Sequence, residues 1–168
     1  MPLLAASLRS EISQGDVFDQ IPIVWFRSQD NVVLARFSKA ILITHDCDFD
    51  KPNSRTCLLA EIRPLEEIDD GSKGNIRSNR AVNTLYMGQI GPAEQEWFVD
   101  FRRITRVDKE LLQSRNREGL RLVSLTDEGR LALYRVIATF FSRDQKRRNV
   151  VPATPNETAE LNRPTEGP

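Results

Sequence analysis

Five side chains able to do chemistry fall within six residues of this chain: His45, Asp46, Cys47, Asp48 and Asp50. His45 is the only histidine, and an imidazole titrating near neutrality suits a general acid or base. Cys47 beside it could serve as a nucleophile. On an extended chain His45 and Cys47 face the same way. With Cys57 across a hairpin and Asp48 or Asp50 as a fourth ligand, they form a set of types that zinc accepts, though no second histidine and no CxxC pair fixes the spacing. The competing reading is architectural: Thr44, Asp46 and Asp48 make turn hydrogen bonds while His45 and Cys47 pack inward.

A second group is basic. In Arg102-Arg103-Ile104-Thr105-Arg106 the alternation of a strand places Arg102 and Arg106 on one face, a track for phosphates. Arg143, Lys146, Arg147 and Arg148 extend the charge, although cations after a helix also complement its dipole. The chain is neutral overall, with 24 basic and 24 acidic residues, but unevenly so: residues 1–100 sum to −5, 101–148 to +7 and 149–168 to −2. An anionic partner is therefore sought in the middle segment. Trp25, Phe26, Trp97 and Phe98 read as core and edge packing before base-stacking platforms.

The elements that must position these groups are mostly strands. Val17 to Phe26 reads as a first strand kinked at Pro22, and Val32 to Phe37 as a second. Ile41 to Ile43 forms a buried strand that ends at the reactive cluster. Cys57 to Ile62 follows as its hairpin partner, with Cys47 and Cys57 flanking the turn, and Pro64 ends it. Glu66 to Arg80 has no sustained period and reads as a long surface loop with one helical turn near Leu65 to Ile68. Val82 to Met87 and Glu96 to Phe101 resume strand character, and Ile104 to Leu112 passes from a strand end into a helical turn. After the short segment Arg121 to Ser124 comes the clearest helix, started by Ser124 and Asp127 as a variant capping box. Leu131, Tyr134, Ile137, Ala138 and Phe141 form its apolar face, widened by Leu133, Val136 and Phe140.

This order describes a mainly β chain with α elements, a small, partly open β-barrel closed by a C-terminal helix. Residues 1–13 form an arm or short helix, residues 14–148 the barrel domain, and residues 149–168 a disordered tail whose composition buries too little surface to offset ordering. No apolar run reaches the roughly 20 residues of a membrane helix, and two cysteines imply no disulfide framework, so a reducing cytoplasm is the expected location.

The landmarks also come in a familiar order. Gln14-Gly15-Asp16-Val17 opens strand one. ILITHD, LLAEIRPL, VDFRRITRVDKELL and RLVSLTDEGRLALYRVIATFF follow in turn. Across residues 14 to 141 this resembles the MazF/PemK-like toxins, and the resemblance implies an SH3-like barrel that cleaves single-stranded RNA without a metal. The family's Arg-Pro before the apolar strand is replaced here by Arg36 and Lys39, and its Ser or Thr after the third strand by Arg63-Pro64.

The expectation is therefore a cytoplasmic MazF/PemK-like barrel of a toxin-antitoxin or defence system, acting on or binding single-stranded RNA. As an endoribonuclease it would use His45, Arg36 and Arg102, with Arg102, Arg103, Arg106, Lys146, Arg147 and Arg148 holding the nucleic acid. No cofactor is expected, no membrane is involved, and a protein partner or a homodimer is left open. The alternatives are a non-catalytic barrel module that binds a protein or nucleic acid, and a metal-stabilised module built on His45 and Cys47.

Overall fold

The computed structural model describes residues 3–90 and 94–148, the last six by their backbone alone. Its centre is one antiparallel sheet of six strands: β1 (Val17–Arg27), β2 (Val32–Leu42), β3 (Thr56–Pro64), β4 (Thr84–Gln89), β5 (Glu96–Asp108) and β6 (Arg121–Val123). They lie in the order β4-β5-β3-β2-β1-β6. Four helices accompany them among the described residues: α1 (Asp46–Phe49), α2 (Asp70–Arg77), α3 (Lys109–Arg117) and α4 (Asp127–Arg148).

Alternation along the strands sorts the apolar residues onto two faces. Val17, Ile41, Ala60, Ile62, Val99 and Phe101 form an outer layer, and α4 covers it with Leu133, Val136, Ile137 and Phe140. Phe18, Ile21, Ile23, Leu42, Leu59 and Val107 form an inner layer, closed at one end by Leu112 and Leu111 of α3 and by Phe49. The sheet curls round this inner layer until β1 approaches β5, where the Thr105 hydroxyl donates to the Pro22 carbonyl at 3.1 Å. The result is a half-barrel.

The opening Gly15-Asp16 is a corner piece. Gly15 sits at φ +91°, and a side chain there would press on Leu125. Asp16 is fully buried and accepts from Ser13 N (2.7 Å), the Ser124 hydroxyl (2.6 Å) and Arg121 (2.8 Å). Burial pushes its carboxyl above the usual range despite those bonds. Residues 3–13 are an arm rather than a helix, with Leu4 bridging Leu125. Residues 149–168, expected to be disordered, lie outside the described residues.

Several expected elements differ. The second and third expected strands are one, because Ser38 and Lys39 remain paired within β2. The irregularity in β1 falls between Phe18 and Ile21, with Gln20 at φ +56°, and not at Pro22. Pro22 needs no ladder bond because its outer edge has no strand neighbour beyond Phe18. The expected loop at residues 66–80 holds α2, started by Asp69, whose carboxylate accepts from Ser72 N at 3.0 Å. Thr126, and not Ser124, starts α4: its hydroxyl accepts from Gly129 N at 3.0 Å. Leu131 and Phe141 of that helix lie outside its buried face, at 50% and 48% exposure.

Candidate functional site: an arginine cluster over two buried carboxylates

β3 carries one charge in the middle of its apolar run. Glu61 is 0% exposed and faces the inner layer, in line with Cys57 and Leu59. A carboxylate so placed must be paired. Arg36 of β2 reaches it through Nε (2.8 Å) and Nη2 (2.6 Å), and Arg103 of β5 through Nη1 (3.2 Å). Both guanidiniums also lie over the ring of Trp25, at 5.6 and 5.0 Å from its centroid, a cation–π arrangement.

Asp100 repeats the pattern beside it. It is cross-strand partner to Glu61 and 1% exposed. Arg102 clamps it with two bonds of 2.8 Å from Nε and Nη2, and Arg63 adds a third at 3.3 Å. Burial alone would raise the Asp100 carboxyl, but the bonds from Arg102 and Arg63 outweigh it and hold the group below the usual range. The same bonds raise Arg102. Arg63 also pairs with Glu67 at 2.9 Å.

Four arginines from three adjacent strands thus converge on two buried acids. The convergence depends on a break in register: Ala60 pairs with Ile104 but Glu61 pairs with Asp100, so Phe101 to Arg103 are extra residues in β5. That bulge turns Arg102 and Arg103 towards the inner face. Arg106 pairs with Leu58, which packs in the outer layer. Arg102 and Arg106 therefore do not share a face, contrary to simple alternation. Arg36 (38% exposed) and Arg102 (57%) present their remaining N–H groups to solvent. Arg102 also walls a cavity of about 260 Å³ with Asn75, Asn83 and Thr84.

The His45 cluster lies elsewhere. Thr44 accepts from Leu58 N at 2.7 Å, so the chain leaves the sheet three positions, about 10 Å along β3, from Glu61. His45 then starts α1, and its ring stands 5.7 Å from that of Tyr134 on α4. It is exposed on the side that α4 covers. Asp46 ties α1 to Arg130 of α4 and accepts from Gln14 N at 2.5 Å. The structure thus brings Arg36, Arg102 and Arg103 together and leaves His45 and Arg106 apart from them. The side chains of Lys146, Arg147 and Arg148 lie outside the described residues.

The expectation that His45 and Cys47 pack inward fails, since a helical turn replaces the extended chain and exposes both. Cys57 points into the barrel at 2% exposure, and both thiols are free. Among the described residues no three His, Cys, Asp or Glu side chains are grouped to hold a metal. Glu61, Asp100 and Arg63 are not among the expected site residues, although one signal is present: a lone carboxylate in the run LLAEIR demands a cation beside it. No family model and no curated protein matches the chain.

Proposed function

We propose that this protein binds single-stranded RNA across the arginine cluster of its half-barrel, as a MazF/PemK-like protein of a toxin or defence system. One observation carries the reading: guanidiniums from three strands are held in fixed positions by buried carboxylates, beside a partly buried tryptophan. Arginines fixed in this way match phosphate oxygens without first being ordered, and the Trp25 ring packed against Arg36 and Arg103 helps to fix them. The setting rests on the resemblance of residues 14 to 141 to that family, with the curled sheet and covering helix supporting its SH3-like barrel.

Binding without cleavage is the form of this reading that the geometry favours. Both carboxylates nearest the arginines are locked in ion pairs, so the cluster supplies charge stabilisation and no free general base. His45 lies beyond reach of it. Incubation of the full chain with single-stranded RNA in chelator, followed by native and denaturing gels, tests both parts. The expected result is a shifted, intact RNA whose affinity falls at least tenfold in Arg102→Ala, a change at a half-exposed side chain that leaves Asp100 paired with Arg63. No shift, or a shift indifferent to Arg102, overturns the binding reading, and cut RNA overturns the non-catalytic one.

A further inference from the structure

The arginine cluster leaves the histidine and cysteine of the strand-end motif without a task, and their geometry is specific. Cys47 Sγ stands 3.0 Å from His45 Nδ1. The backbone N–H of Cys47 donates to the same Nδ1 at 3.2 Å, which leaves the ring proton on Nε2 and makes Nδ1 the acceptor that a base requires. Tyr134 holds the ring from α4. Nucleophile, base and a group that orients the base are the three parts of an activated thiol, and both reacting side chains are open to solvent.

Acidic neighbours oppose a thiolate, and here the two nearest are already engaged. Asp46 is paired with Arg130 and bound to Gln14 N. Asp48 is paired with Lys51 at 2.5 Å, and that partner holds its carboxyl below the usual range. From the neighbouring β5–α3 junction, Lys109 Nζ reaches the carbonyls of Asp48, Phe49 and Lys51, adding positive charge at the far end of α1. Asp50 is the remaining acid of the turn, and Arg130 and Tyr134 face the pair from α4.

We infer that His45 and Cys47 form a thiol–imidazole pair that exchanges with low-molecular-weight disulfides, a modification site separate from the arginine cluster. In the step, Nδ1 releases its bond from the Cys47 N–H and takes the Sγ proton, and the thiolate attacks one sulfur of the disulfide. A bond forms between Cys47 and that sulfur as the original S–S bond breaks, and the departing thiolate takes the proton back from the imidazolium. Cys57, buried and pushed up to about 11 by desolvation, stays out of the reaction.

The test is the rate at which the full chain reacts with 4,4′-dithiodipyridine near pH 6, measured against free cysteine in the same buffer, with the labelled residue mapped by mass spectrometry. With an imidazole nitrogen 3.0 Å from Sγ and placed to take its proton during attack, Cys47 is expected to react about tenfold faster than free cysteine. In His45→Gln the advantage should vanish, and in Cys47→Ser the fast label should disappear. A wild-type rate equal to free cysteine, labelling at Cys57, or an unchanged rate in a folded His45→Gln overturns the inference. The wild-type rate alone decides the matter if that variant loses its fold.

Discussion

At the scale of single residues, the chain separates two kinds of buried polar group. Glu61 and Asp100 are buried and paired with arginines, and the bonds from Arg102 and Arg63 hold the Asp100 carboxyl below its usual range. Cys57 is buried neutral. Desolvation raises its thiol to about 11, with Asp108 adding to the rise and Lys109 opposing it. The folded value lies above the ordinary value of 9.0, so the stability tied to this proton is fully present below pH 9 and is lost as pH rises through about 11. At about 1.4 kcal/mol per unit the loss amounts to roughly 2 to 3 kcal/mol. Denaturant melts at rising pH should therefore show wild type losing that much more than Cys57→Ala over this window. Parallel curves for the two proteins would refute it.

At the scale of elements, the arm and α4 are interlocked through a glycine. Leu3 offers its carbonyl to Thr126 N at 2.8 Å, and Ala5 N donates to Ser124 O at 2.9 Å. Gly129 lies in the first turn of α4 directly against Leu3, where an added methyl would overlap the Leu3 carbonyl oxygen. Gly129→Ala should therefore push the arm off the helix, costing about 1 to 3 kcal/mol in a thermal or denaturant melt despite the better helix propensity of alanine. A variant as stable as wild type would show that the arm contributes nothing.

The same scale explains what could be read in advance. The strands at Val17 and Cys57 were legible because their apolar runs are bounded by polar turns, whereas Ser38 and Lys39 stay paired and join the expected strand at Ile41 to the one before it. α2 was not, since in DGSKGNIR only Ile76 is buried and the helix rests on its Asp69 cap. The apolar stripe of α4 was legible, since Leu133, Val136, Ile137 and Phe140 within it pack on the sheet, but tertiary contact leaves its members Leu131 and Phe141 exposed. The site was half legible. The arginines were named as a group, but the bulge that divides Arg102 and Arg103 from Arg106 depends on the partner strand and has no local signal. The expected turn of His45 and Cys47 towards the core failed because the polar run after Ile43 makes a helical turn capped by His45 itself.

At the scale of the whole molecule, the chain is neutral in total charge, and its four clustered arginines are largely matched by Glu61, Asp100 and Glu67. α4 and the arm cover the outer layer, α3 and α1 close one end of the barrel, and the arginines occupy the inner face of β2, β3 and β5. RNA bound there would be held by a few phosphate contacts rather than by a diffuse positive surface, and salt dependence distinguishes the two. The most direct measurement is fluorescence anisotropy of a labelled single-stranded RNA titrated with the full chain over a series of salt concentrations. With about 0.7 of slope per neutralised phosphate on a single strand, the account predicts a fall of log affinity with log salt of about 2 to 3, reduced by about 0.7 in Arg102→Ala. A slope near zero, or one that Arg102→Ala leaves unchanged, would contradict it.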